Sequence, residues 1–144
     1  MHRRPRLTLL ACLTLAGCSS AVPVAPLPAA TATVCRAVPW PSSVGGRPLT
    51  ETTPADPSVR AWGDPAIVAR CGGAALAPTT TQCLDVDGVG WIPQELSDGI
   101  RFTTFGTDPT IEVLVPAAYS PEALLLPAFR AAAATLPRNG LECR

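Results

Sequence analysis

The stretch "RFTTFGTDPTIEVLVP", positions 101–116, constrains the fold of this chain more than any other. Ile100, Phe102 and Thr104 alternate with polar or mixed positions, and Ile111, Val113 and Val115 do the same after "GTDP". A period of two on both sides of a Gly/Asp/Pro turn predicts a β-hairpin with one face toward a core. With residues 106–109 as the loop, Phe102 lies opposite Val113 and Ile100 opposite Val115. Arg101 and Glu112 then sit diagonally on the other face, where an ion pair carries little weight.

Other segments extend the pattern less regularly. "PAIVARCG" reads as a short strand stopped by Gly72-Gly73, and "AWGDP" as a turn entering it, with Trp62 capping the core. "CLDVDGVGWI" carries Leu84, Val86 and Trp91 on a strand with a glycine bend or bulge, or else a tight hairpin turn at Asp87-Gly88. Toward the C-terminus, Ser120, Pro121 and Glu122 form a helix start: a hydroxyl cap, proline at the first position and an acid at the positive dipole end. Leu125, Phe129, Ala132 and Leu136 follow at helical spacing, Pro127 kinks the helix or delays its start, and Pro137 stops it. A second, weaker helix is placed near Cys35. The expected architecture is an α+β domain: a small antiparallel sheet of three to four strands, a C-terminal helix and an optional N-terminal helix, stapled by disulfides.

The N-terminus reads as an export signal. "MHRRPR" is basic, "LTLLACLTLAG" is uncharged, and small residues follow. The apolar run is well short of the roughly 18 residues a permanent membrane span needs. "LAGC" resembles the bacterial lipobox, which makes residues 1–17 a lipoprotein signal peptide and Cys18 the lipidated residue; an ordinary secretory cleavage is the alternative. Two or three acyl chains at Cys18 give stable anchoring, where one does not. Residues 19–33, uncharged and holding three prolines, read with Cys18 as a tether reaching about 45 Å in the polyproline conformation. Residues 34–144 form one globular domain.

With Cys12 lost in the signal and Cys18 lipidated, Cys35, Cys71, Cys83 and Cys143 remain for two disulfides, with three connectivities open. No short C-x₂₋₄-C spacing marks a metal knuckle, and the single histidine, His2, leaves with the signal, so no metal and no cofactor are expected. The chain has no lysine; eight scattered arginines then face eleven acids, a net charge of about −3 that argues against nucleic acid. Without histidine or lysine, and with its thiols paired, the domain has only carboxylate chemistry to offer. Asp85 and Asp87 share a strand face, but such pairs are ordinarily a solvated surface. As a calcium loop starting at Asp85 the stretch fails, since glycine falls at position four and leucine at twelve. No catalytic residue is assigned. Trp62 and Trp91 are the candidates for stacking a sugar, against the commoner role of core filling.

"CRAVPWPSSVGGRPLT", "AWGDPAIVARCG", "VDGVGW" and "RFTTFGTDPTIEVLVP", in that order, resemble an uncharacterised family of actinobacterial exported lipoproteins, domain of unknown function 3515. The resemblance covers roughly residues 35–136 and implies an envelope protein without an established active site. It also implies that Cys35 pairs with Cys71, leaving Cys83 for Cys143; 35–143 with 71–83 is the rival. The resulting expectation is a protein on the outer, extracytoplasmic face of the cell membrane, held there through Cys18. It would act as a non-enzymatic binding or assembly module toward an envelope protein or cell-wall partner. A carboxylate-based glycan hydrolase and a small-ligand carrier are the alternatives.

Overall fold

The computed structural model of the protein describes residues 20–144. Residues 1–17, read from sequence as a signal peptide, and Cys18, read as the lipidation site, lie outside the described residues. Among the described residues there are ten strands: β1 (Val22–Pro23), β2 (Ser43–Val44), β3 (Arg47–Thr50), β4 (Thr52–Thr53), β5 (Val59–Trp62), β6 (Ile67–Gly73), β7 (Leu84–Val86), β8 (Val89–Leu96), β9 (Gly99–Phe105) and β10 (Thr110–Pro116). Eight of them form one antiparallel sheet in the order β2-β3-β5-β6-β10-β9-β8-β7, and β1 pairs with β4 in parallel.

The domain is therefore mainly β, not α+β with three to four strands. Strand β2 has two residues and β3 and β5 four each, too short to display a period in sequence. Among the described residues the α content is two short pieces, α1 (Thr33–Arg36) and α2 (Arg130–Ala134).

The expected C-terminal helix is mostly 3₁₀, over Glu122–Phe129. Pro127 cannot donate to the turn before it, and its ring crowds the carbonyl four residues back, so α geometry starts only at Arg130. The Ser120 hydroxyl caps nothing; Pro121 precedes the 3₁₀ run. Three residues per turn changes which side chains point inward. Leu126, Phe129 and Ala132, three apart, are buried, whereas Leu125 is half-buried.

The hairpin forms between β9 and β10 with Phe102 opposite Val113 and Ile100 opposite Val115. Its polar face pairs differently from expectation. Glu112 binds Arg70, its direct neighbour on β6, at 2.6 Å, and Arg101 donates to Gln94, its direct neighbour on β8. Directly opposed side chains are nearer than diagonal ones, so they win. Asp87-Gly88 is the two-residue turn between β7 and β8. Both φ angles are positive, 54° and 81°, as a type I′ turn requires.

One face of the sheet carries the core. Ile67, Ala69 and Cys71 of β6 and Ile111, Val113 and Val115 of β10 are at most 2 % exposed, under Leu126, Phe129, Ala132 and Leu136. Trp62 joins the two layers: its indole donates to Pro41 O at 3.0 Å, and its ring meets Phe129 edge-on at 5.4 Å. The disulfide Cys35–Cys71 lies in this core, and Cys83–Cys143 closes the C-terminal tail onto the far edge.

The described part of the proline-rich segment lies along the fold. Pro23, Pro26 and Pro28 lack an N–H, but the residues between them have donors to place. Val22 N–H donates to Glu51 O, Val24 to Thr53 O and Ala29 to Gly72 O. Residues 29–30 approach β6 so closely that a Cβ on Gly72 would meet Ala30 N at 2.5 Å, which demands glycine there.

Two outcomes are expected. The chain-entropy contribution of each bridge is about 4 kcal/mol and favours the longer 83–143 loop slightly. Cys35 and Cys71 are both 0 % exposed, however, so deleting them also opens a void. In urea titrations Cys35→Ala/Cys71→Ala should lose about 1–2 kcal/mol more than Cys83→Ala/Cys143→Ala; the opposite order would show loop entropy alone in control. The second outcome concerns Asp56. Its carboxylate accepts the Ser58 hydroxyl at 2.6 Å and N–H at 2.8 Å, and these bonds, with Arg36 and Arg60 nearby, hold its pKa below the usual carboxylate value. The unfolded chain then binds the proton more readily, so this stabilisation is complete above the ordinary Asp range near pH 4 and lost as pH falls through the folded value. Asp56→Asn should flatten the acid limb of stability against pH and leave its slope above pH 6 unchanged.

Candidate functional site

The chain between β6 and β7 and the C-terminal tail build a cleft at the β7 edge of the sheet. Segment 74–83 runs from the end of β6 to the outermost strand. The tail returns after α2 through an Arg138–Thr107 bridge and two backbone bonds, Asp108 N–H to Pro137 O and Asn139 N–H to Gly106 O. The disulfide Cys83–Cys143 then joins the two. Between them opens a cleft of about 650 Å³, with Phe105 at its base, the hydroxyls of Thr79, Thr80 and Thr81 on one wall, and Glu142 and Arg144 on the other. Thr79 and Thr81 are hydrogen-bonded to each other at 2.9 Å, which shapes that wall. Hydroxyls and one charge of each sign suit an extended polar chain, such as a peptide or a glycan.

A smaller recess of about 270 Å³ lies on the other side of the bridge, lined by Asp85, Arg138 and Glu142. Asp85 also accepts the Gly88 N–H at 3.0 Å, a turn-stabilising role. Asp87 stands in the turn itself and does not line the recess, so the two acids read as neighbours on one strand face do not share a site. The acid that does share Asp85's recess is Glu142, brought across 57 positions by the second disulfide, a pairing invisible to sequence spacing. Among the described residues no group of three His, Cys, Asp or Glu side chains could hold a metal ion.

The stacking candidates are inside. Trp62 and Trp91 are each 0 % exposed, so neither offers a ring face to a sugar. Trp40 is half-buried, donates its indole N–H to Pro57 O and meets Trp62 edge-on. A second groove, of about 530 Å³, lies at the opposite side of the sheet, between Leu49–Thr52 on one side and Ala55, Asp56 and Arg60 on the other.

No curated protein and no solved structure matches the chain. Residues 7–139 match the family described as protein of unknown function, DUF3515. The match runs from before the first described residue through both covering segments of the sheet and ends within the tail that walls the cleft. The chain belongs to the DUF3515 family.

Proposed function

We propose that the protein is an exported envelope module, lipid-anchored through Cys18, that works by binding rather than by catalysis. The observation that carries this reading is the use of the cysteines. All four in the domain are consumed in two disulfides, the pattern of an oxidising compartment. Cys18 stands apart from them in sequence, directly after Leu-Ala-Gly at the end of an export signal, where lipid attachment is the chemistry available to it. The binding surface is the cleft between the threonine loop and the C-terminal tail, and its occupant is an extended segment of an envelope protein or of the cell wall. A carboxylate hydrolase is the second reading, supported by the Asp85–Glu142 recess beside Arg138.

Labelled palmitate should enter the wild-type protein, and Cys18→Ala should abolish uptake and release the domain from membranes; label retained by the variant would refute anchoring at Cys18. For the cleft, a photoreactive benzophenone side chain at Thr80 should capture a discrete envelope component in intact cells. Capture failing while the purified domain degrades cell-wall glycan, and Glu142→Gln stopping that degradation, would establish the hydrolase instead.

A further inference from the structure

The path of the N-terminal segment says how the anchored domain is held. Val22 is fixed by its N–H to Glu51 O at 2.8 Å and by pairing of β1 with β4. Only four peptide steps separate Val22 from Cys18, and a fully extended chain spans at most about 3.6 Å per residue, or about 14 Å in all. A lipidated Cys18 would therefore keep Val22 within about that distance of the bilayer surface, with Glu51 one hydrogen bond further on, nearer than a free tether would hold them.

The surface beside this attachment point combines one exposed leucine with hydroxyls, one arginine and two carboxylates. Leu49, one of two large apolar side chains standing out among the described residues, is 50 % exposed on β3. It borders the 530 Å³ groove with Thr50, Thr52 and Ala55, and Arg60, Glu51 and Asp56 complete the rim. An exposed leucine among hydroxyls suits the boundary between headgroups and acyl chains. Arg60 donates through Nη1 to the Asp56 and Val59 carbonyls, and its other N–H groups offer a partner for lipid phosphate. The two carboxylates set the depth, because burying either in hydrocarbon would cost several kcal/mol. They hold the contact at headgroup level.

We infer that the groove between Leu49–Thr52 and Ala55–Arg60 rests on the phospholipid surface of the membrane that carries the anchor. The inference depends on lipidation of Cys18. The short tether makes the encounter intramolecular, so a surface of low intrinsic affinity is occupied all the same.

The test uses the full, lipidated chain reconstituted in vesicles of phosphatidylglycerol and phosphatidylethanolamine. Mass spectrometry first checks the Cys18 lipid adduct and both disulfides. A benzophenone side chain at Leu49, or at the exposed Ala55 should the Leu49 variant misfold, is irradiated alongside one at Thr80. Phospholipid adducts should form severalfold more at Leu49 and Ala55 than at Thr80. Vesicle-bound, lipidated protein with equal or no labelling at the two groove positions would overturn the docking surface while leaving the anchor intact. A chain that carries no lipid at Cys18 and does not float with vesicles would overturn the anchor, and the docking surface with it.

Discussion

The fold depends on covering one face of a single sheet with segments that have little regular structure of their own. Cys35–Cys71 is the covalent part of that solution. Cys71 sits on β6, with β5 on one side and β10 on the other, opposite Ile111, and its partner ends the segment that wraps over from the N-terminus. A one-turn helix such as Thr33–Arg36 has no stability apart from its packing. Fixed by the bridge, it brings Val34 and Val38 against the core, and the chain running on to Pro41 supplies the carbonyl that binds the Trp62 indole. Trp62 in turn meets Phe129 from the C-terminal cover. One disulfide, one hydrogen bond and one aromatic edge thus join both covering segments to the sheet.

Periodicity was readable where a strand is long and one-sided. Strands β9 and β10 have seven residues each, and their register follows from alternation and loop length alone. The four-residue β5, "VRAW", shows Val59, Ala61 and Trp62 all buried, because part of its second face is covered too, and alternation disappears with that. At the C-terminus the residue types are apolar at the right density, and their spacing alone suggests a period of 3.6. Pro127 changed it to 3, moving Leu126 into the place assigned to Leu125. The proline-rich segment misleads in the opposite sense. Its composition resembles a free linker, yet the N–H groups of Val22, Val24 and Ala29 donate to the carbonyls of Glu51, Thr53 and Gly72.

The burial of the tryptophans also follows from register once the hairpin is known. Trp91 pairs with Thr104, which has the same parity along β9 as Phe102, so Trp91 faces the core. Trp62 pairs with Ile67, which is likewise inward. The cleft has no such signature. Its walls are the segment 74–83 and the tail, neither periodic; the tail's bonds to residues 106–108 and the Cys83–Cys143 disulfide together bring Thr79–Thr81 opposite Glu142 and Arg144. Cysteine counting identified two bridges as a class; what each bridge brings together depends on the path of the chain between them.

Strand order then relates the two surfaces of interest. Strand β3, which carries Leu49, is second in the sheet, and β7, beside the cleft, is eighth. Six inter-strand steps at about 4.8 Å put them about 29 Å apart before twist is counted. Under the proposed anchoring, with the β3–β4 side at the membrane, the cleft would stand at the opposite edge of the sheet, beyond the headgroups. That edge is also protected against unwanted strand pairing. Strand β7 has three residues, Asp85 is exposed on it, and the tail is bonded across the neighbouring loop. The second disulfide acts at the same place: it ties the tail to the residue just before β7 and so completes the cleft.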